Sequence, residues 1–381
     1  YKEIDGWKVA QPGDALSRGP WWEMFGDEDL NALAAEVNIS NQTVKAAEAQ
    51  FRQAYALIQA AQAAYFPTIA AGASYTRSQR SANTTSSMMA GIPFSDYLLP
   101  VTLSWEFDVW GRIRRTVEAA KAGAEASAAD LEGIRLSSQA QLAVAYFQLR
   151  ILDMQRELLN ATVAAYERSL QLTKNQYESG VATRADVLQA ETQLKTTKAQ
   201  AIDTGVQRAQ LEHAIAVLTG KMASSFSLPV KKLAFTPPDI PVGFPSELLE
   251  RRPDIAAAER RAAAANAQIG VALAAYFPRV TLGATGGYES SESSNWLTWP
   301  SRLWAVGPAV SETIFDGGLR GALTDQSRAA YDAAVASYRQ TVLTGFKEVE
   351  DNAAALRILE EESKAQDEAI AAARKSLEFS L

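Results

Sequence analysis

The chain has 381 residues, of which 47% are hydrophobic, and a formal net charge of −7. This length is enough for two or three ordinary domains, and the acidic balance argues against nucleic-acid binding, which needs a basic surface. The absence of cysteine excludes disulfides, thiolate metal sites and cysteine nucleophiles from this sequence. No run of about 18 apolar residues could form a transmembrane helix. We therefore expect any membrane crossing to use β-strands.

Taken in chain order, the sequence predicts an α+β protein in which long helices alternate with pairs of strands. The helical segments are rich in Ala, Leu, Gln, Glu and Lys, and the strand segments alternate in polarity. We predict helices over 29–66, 112–220, 253–277 and 318–381, and strand pairs over 68–110 and 279–316.

The longest helical segment begins at Arg112 and continues to about Glu178, interrupted only by two tolerable glycines, Gly123 and Gly133. At about 1.5 Å per residue such a helix is on the order of 100 Å long. Apolar residues recur along it at intervals of three and four, as in Leu142, Ala145 and Leu149. A helix of this length needs other helices packed along it. A plain coiled coil is the simpler alternative for this segment.

A tight hairpin is predicted between this helix and the next, within residues 177–188. Gly180 suits the left-handed conformation that ends a helix. Thr183 can cap the following helix, and Asp186 lies three residues later, in its first turn.

The chain contains an internal repeat. Ala-Ala-Tyr-Phe-Pro at 63–67 recurs at 274–278, and the glycine-led segment 111–115 corresponds to 317–321. In each copy, two strands follow a helix and precede a long helix. The repeats are predicted over about 29–220 and 251–381. By analogy the second copy would reach its own hairpin near residue 387, so we expect that hairpin and its returning helix to lie beyond Leu381.

Four segments have the alternation of half-buried strands, namely 69–77, 97–109, 280–288 and 303–315. Their apolar faces are predicted to meet lipid and their small hydroxylated faces a wet lumen. Tryptophans cluster near the strand ends, where interfacial aromatics belong. The predicted lipid-facing residues are Tyr97, Leu99, Val101, Leu103, Trp105, Val280, Leu282, Trp304 and Val306. A soluble β-sandwich is the alternative for the strands considered alone.

Four strands are too few for a membrane barrel, which needs about eight at least. Because an open sheet edge is costly in lipid, closure would come from several copies of the chain. Two copies would leave a packed interior and three would leave room for a passage. A conducting barrel therefore predicts a trimer with twelve strands.

These residues resemble the outer membrane factor family, which comprises the TolC-like exit ducts, and within it the NodT-type efflux lipoproteins. The segment 243–255 (Gly-Phe-Pro-Ser-Glu-Leu-Leu-Glu-Arg-Arg-Pro-Asp-Ile) is the most specific marker. Trp21-Trp22, the segment 105–108 and the hairpin at 177–188 support it.

The resemblance implies a homotrimer with a twelve-stranded β-barrel in the bacterial outer membrane and an α-helical barrel in the periplasm. It also implies an equatorial belt, here formed by segments 1–28 and 221–250. The implied partners are a periplasmic adaptor and an inner-membrane transporter of the RND type. The adaptor would meet the hairpin tip, which consists of Gly180, Val181, Ala182, Thr183 and Arg184. A lipid anchor is implied on a residue before Tyr1, and the gate is expected beyond Leu381.

The resemblance implies passive conduction of small molecules with no cofactor, and the residues do not point to an enzyme. The single histidine, His213, lies in a helical segment, and no pair of carboxylates is singled out by its spacing. Two alternatives stay open: an exit duct for secreted polypeptides, and an envelope-bridging coiled-coil protein that conducts nothing. The transported substrates are not predicted by the sequence.

Overall fold

The computed structural model describes residues 19–83, 91–232 and 251–380, and two compact units can be distinguished in it. The first unit comprises residues 1–51, 128–256 and 344–381, and the second comprises residues 52–127 and 257–343. The helices are α1 (Glu28–Ser40), α2 (Gln42–Ala63), α3 (Arg112–Glu178), α4 (Arg184–Leu218), α5 (Pro253–Ala274) and α6 (Leu319–Ser380). In the described part of the chain, no helix is long and apolar enough to cross a membrane.

The strands are β1 (Thr68–Ala71), β2 (Ser74–Gln79), β3 (Pro93–Phe107), β4 (Arg279–Ser290) and β5 (Arg302–Ser311). They form one antiparallel sheet in which β1 and β2 both pair with β3, β3 pairs with β4, and β4 pairs with β5. β1 and β2 together correspond to the predicted first strand, which is interrupted at Gly72–Ala73. We call the two together the first strand line. The sheet joins the strands of both repeats through β3 and β4.

The internal repeat is visible in the backbone. After α2, the amides of Ala64, Tyr65 and Phe66 each donate to the carbonyl three residues earlier. After α5, Ala275, Tyr276 and Phe277 make the same three bonds. A strand follows each turn after its proline. The same short sequence therefore builds the same helix-to-strand connection twice.

Aspartates cap the long helices that follow the strands. Asp108 accepts hydrogen bonds from the amides of Ile113 and Arg114, both at 2.8 Å, at the start of α3. Asp316 accepts from the amides of Gly318 and Arg320 at the start of α6. A carboxylate at this end satisfies donors that have no partner within the helix.

The core of the first unit lies where α1 packs against α3 and α4. Leu30, Val37, Leu142, Leu149 and Ile215 are fully buried there. Of the apolar residues along α3, the predicted Leu142, Ala145 and Leu149 are buried, whereas Val144, which lies between them, is 56% exposed. Its neighbours Leu142 and Leu149 face α1 and α4 instead.

Some element bounds differ from the predicted spans. The helical segment expected over 29–66 contains a break at Asn41, whose extended backbone ends α1. The Asn41 carboxamide accepts from the amides of Thr43 and Val44 and donates to the carbonyl of Leu218, so it caps α2 and binds α4. The fourth strand, expected over about 303–315 with Glu312 interrupting its apolar face, ends at Ser311, directly before Glu312.

The other predicted helix bounds agree to within a few residues, and α3 begins and ends where the sequence indicated. Most of the segments assigned to an equatorial belt lie outside the described residues, as does 243–250 of the family marker. Their described parts include a short 3₁₀ helix at Trp21–Phe25 and another at Ala223–Ser225.

Candidate functional site

One face of the sheet is mostly apolar along β1, β3, β4 and β5, since directly opposed residues of antiparallel strands share a face. Leu103 lies opposite Ala284, which in turn lies opposite Val306. In the same way Ile69 of β1 lies opposite Leu103. We call this the outward face. It contains all nine predicted lipid-facing residues, namely Tyr97, Leu99, Val101, Leu103, Trp105, Val280, Leu282, Trp304 and Val306.

Apolar side chains on the outward face have no covering layer. Trp304 is 80% exposed, Val306 62% and Val101 47%. A shallow depression of about 560 Å³ runs over this face and is lined almost entirely by apolar atoms of Ile69, Val101, Leu103, Trp304 and Val306, among others. A contiguous apolar surface of this kind marks a contact with lipid or with another protein.

The opposite, inward face carries small and hydroxylated residues. Thr102 lies opposite Thr285, and Ser104 lies opposite Gly283. At the end near the helices, Glu106 accepts two hydrogen bonds from Arg112, at 2.8 and 2.9 Å, and lies 3.3 Å from Arg279. The positive charges of Arg112 and Arg279 thus neutralise the negative charge of Glu106 where β3, α3 and β4 meet. With its threonines, serine and charged groups, the inward face is polar, as the alternation predicted.

Aromatic rings lie at both ends of the sheet. At the end near the loops, Tyr97 lies 4.8 Å from Tyr75 and 5.6 Å from Trp296, measured between ring centroids. At the end near the helices, Trp105 donates to the carbonyl of Tyr65, and Trp110 donates to the carbonyl of Pro278. Each indole there has an apolar body and a bonded N–H, which is the arrangement typical of membrane interfaces.

The hairpin between α3 and α4 has the predicted geometry. Gly180 adopts a left-handed backbone with φ of 78°. Thr183 and Asp186 form a reciprocal capping box at the start of α4, and the Thr183 hydroxyl and amide both hold the pKa of Asp186 below its usual value. Val181 is 77% exposed. The tip thus presents Val181 and Arg184 on a locally rigid turn.

A family model described as outer membrane efflux protein matches residues 33–221 and 244–380. The toluene efflux pump outer membrane protein TtgF of Pseudomonas putida is 34% identical over 348 residues, which is 91% of this chain and 72% of TtgF. The solved structure of the outer-membrane channel OprN has 33% identity and a TM-score of 0.81 and covers 91% of this chain and 78% of OprN. That of VceC from Vibrio cholerae has 28% identity and a TM-score of 0.79, with coverages of 87% and 79%.

The chain belongs to the outer membrane efflux protein family. The predicted family and α+β channel fold are confirmed, and the protein functions as the outer-membrane channel of an efflux pump. Its family is a transport family rather than an enzyme family. The single histidine, His213, is exposed on α4.

This efflux protein contains a buried ion-pair cluster that sequence reasoning missed. Asp153 of α3 lies 2.7 Å from Arg208 of α4 and 3.3 Å from Arg150, and the side chains of Asp153 and Arg150 are each 1% exposed. The only sequence signal was two charges three residues apart on a helix face that also carries Leu149. We call this the clamp cluster.

The clamp cluster also holds the segment that follows α4. Arg150 donates to the carbonyl of Pro229, and Arg208 donates to that of Leu228, both at 2.7 Å. Leu228 in turn packs against the buried core. Burial alone would lower the pKa of Arg150, but the bonds and charges of Tyr146 and Asp153 raise it above its usual value. Arg150 therefore stays charged, and the cluster fixes the segment to α3 and α4.

Proposed function

We propose that the chain is one subunit of a homotrimeric channel that passes small molecules out of the cell without using energy itself. In this proposal the strands belong to a twelve-stranded β-barrel and the long helices to an α-helical barrel in the periplasm. An inner-membrane transporter of the RND type would deliver substrate through a periplasmic adaptor. TtgF is named as a toluene efflux pump protein, which makes apolar solvents one substrate class to test.

The outward face is the observation that carries the proposal. Exposing Trp304, Val306 and Val101 to water is unfavourable, whereas in lipid the same contacts cost nothing. The small and hydroxylated inward residues suit a wet passage. The two faces differ because successive side chains of a strand point to opposite sides, so one sheet separates lipid from lumen.

The described sheet has two free edges, formed by β1 with β2 on one side and by β5 on the other. Unpaired backbone groups at these edges would cost several kcal/mol each in lipid. Pairing β5 of one copy with the first strand line of the next would remove them. Three copies close a barrel with room for a lumen, which two do not provide.

The helices of the first unit also expose apolar residues that need neighbours. Leu158 and Leu172 on α3 are 67% and 59% exposed, and Ile202 on α4 is 76% exposed. Packing against helices of adjacent copies would bury them. Segments 1–28 and 221–250 would form the equatorial belt, and the clamp cluster would anchor its described part.

The hairpin tip is proposed as the adaptor contact through Gly180, Val181, Ala182, Thr183 and Arg184. Its support is the high exposure of Val181 on a turn that the capping box makes rigid. The lipid anchor before Tyr1 and the gate beyond Leu381 stay predictions of the family resemblance.

The test is single-channel conductance of the full-length protein in a planar bilayer, combined with its mass in detergent. We expect a trimer that inserts and conducts in discrete steps. A monomer, or a trimer that never inserts, would contradict the barrel. A conducting trimer that fails to restore solvent tolerance to a deletion strain, but restores secretion of a polypeptide, would favour the secretion duct.

A further inference from the structure

Two arginines lie on the outward face at the end of the sheet that carries the loops. Arg77 on β2 lies opposite Ser95, two residues beyond the pair Tyr75–Tyr97. Arg302 begins β5 and lies opposite Tyr288. We call the apolar part of the outward face the apolar band. Both arginines lie at its border, next to the aromatic residues Tyr75 and Tyr288.

Neither arginine is neutralised by a carboxylate within the described residues. Arg77 is exposed. The Arg302 guanidinium lies 2.9 Å from the ring centroid of Trp299, and its Nε donates to the Trp299 carbonyl. The stacking orients the Arg302 guanidinium and leaves its two terminal nitrogens without a described hydrogen bond. These nitrogens are available to an external acceptor.

Two carboxylates of the strands at the same end, Asp96 and Glu289, lie on the inward face. Asp96 lies opposite Thr76, and Glu289 lies opposite Leu98. Each is one residue away from an outward position, so the register places both carboxylates on the face opposite to Arg77 and Arg302. Asp96, Glu289 and Arg302 nevertheless line one depression at this end of the sheet. Of the two loop segments at this end, 80–92 contains Arg80 and 291–301 contains Glu292 as its only charged residue. A single face of one sign attracts a ligand of the opposite sign.

Arg77 and Arg302 lie on the two edge strands of the sheet. If copies close the barrel, β5 of one copy adjoins the first strand line of the next, so each seam carries arginines from two chains. Guanidinium groups bind phosphate oxygens in pairs of parallel hydrogen bonds. The apolar band immediately beside them would accept acyl chains.

We propose that this basic outward rim binds the phosphate groups of anionic lipid headgroups in the outer leaflet. The inference depends on the proposed function, since it needs the outward face to meet lipid. Charge complementarity and the adjoining apolar band select a phospholipid or phosphorylated glycolipid rather than a soluble phosphate.

The experiment uses the full-length protein in phosphatidylcholine nanodiscs that contain a minor fraction of lipid A, with dephosphorylated lipid A as the matched ligand. Lipid A retained per trimer is counted after extraction for the wild type, R77Q/R302Q, the charge-keeping R77K/R302K and the inward control D96N/E289Q. We expect a loss of about fivefold per arginine, and thus about 25-fold for R77Q/R302Q. R77K/R302K should retain most of the binding, and D96N/E289Q should match the wild type.

Equal retention by R77Q/R302Q and wild type would overturn the proposal, as would equal retention of the dephosphorylated lipid. Competition by inorganic phosphate at equal concentration would assign the rim to soluble phosphate and also overturn it. Conductance of every variant is recorded in parallel. If none conducts, the proposed function has failed; if all conduct and lipid retention is unchanged, only the lipid site has failed.

Discussion

Asp153 and Arg208 connect α3 to α4 through an ion pair of 2.7 Å in which the aspartate side chain is 1% exposed. The same aspartate also neutralises Arg150. Two cations thus share one buried anion, and each has a second, more exposed carboxylate nearby: Asp29 lies 3.5 Å from Arg150, and Glu212 lies 3.2 Å from Arg208. Removing Asp153 would leave each guanidinium with only that second partner.

We therefore expect Asp153→Ala to lower the free energy of unfolding by about 3–5 kcal/mol, the usual cost of breaking a buried pair. Urea unfolding followed by helical circular dichroism measures it. Asp325→Ala is the matched control because the pair of Asp325 with Arg328 is long and exposed, at 3.8 Å, and should change stability by less than about 0.5 kcal/mol. Equal effects of the two substitutions would contradict the clamp role.

The raised pKa of Tyr146 should make the stability of the protein depend on pH in alkaline solution. Burial, followed by the bond from Tyr146 to Asp27, raises its pKa to about 12, against an opposing contribution from Arg150. Between pH 10 and 12 the folded protein keeps a proton that the unfolded chain loses. The free energy of unfolding should therefore fall as pH rises through this range.

Tyr146→Phe should be less stable at neutral pH, by about 1 kcal/mol for the lost hydrogen bond, but should lose this alkaline slope. The comparison requires urea unfolding of both proteins at several pH values between 9 and 12. The same slope in both proteins would show that other groups cause it.

The sheet leaves no room for a side chain at Gly287. A Cβ there would overlap the backbone carbonyl of Leu99 on β3, whereas one at Gly283 on the same strand and face would meet only the Gly307 carbonyl at 4.0 Å. Gly287→Ala should therefore disrupt the β3–β4 pairing at a cost of about 1–3 kcal/mol, and Gly283→Ala should be tolerated. The measurement is the yield of heat-resistant oligomer on a gel. Similar yields for both variants would contradict this.

Substitutions at two neighbouring positions on β5 test which face of the sheet meets lipid and which meets the lumen. Val306 lies on the outward face and Ala305 on the inward face. Val306→Lys should cost about 2–4 kcal/mol if the position lies near the bilayer midplane, and Ala305→Lys should be accommodated. Insertion into vesicles, measured as protection from protease, gives the result. Greater harm from Ala305→Lys would reverse the assignment of the faces.

Gly180 and Gly205 form a matched pair of glycines. Gly180 ends α3 with a φ of 78°, and Gly205 lies within α4 with open space at its Cβ position. Gly180→Ala should lower stability by about 1–2 kcal/mol, while Gly205→Ala should raise it by up to about 1 kcal/mol. Thermal unfolding of the two variants measures this. If the tip binds an adaptor, Gly180→Ala should also weaken binding to that adaptor, and Gly205→Ala should not.

Much of the fold could be predicted locally. The period-two alternation identified both faces of β3 to β5, because one strand decides on its own which side chains point together. The capping box of Thr183 with Asp186 and the turn at Gly180 involve only neighbouring residues, so the hairpin followed from the sequence. The break at Asn41 did not, because its capping carboxamide is held in part by the carbonyl of Leu218, 177 residues away in the chain.

The sequence by itself determined the bounds of α3 and the hairpin that follows it, the duplication and the polarity of each strand, since these depend on contacts within a few residues or on direct repetition. The tertiary structure decided which residues from distant parts of the chain lie together. Only the strand register placed Arg77 and Arg302 on the face opposite to Asp96 and Glu289. Only packing brought Asp153 against Arg208 and brought Arg150 against Pro229, because the energy of a buried charge depends on groups that the chain order does not place together.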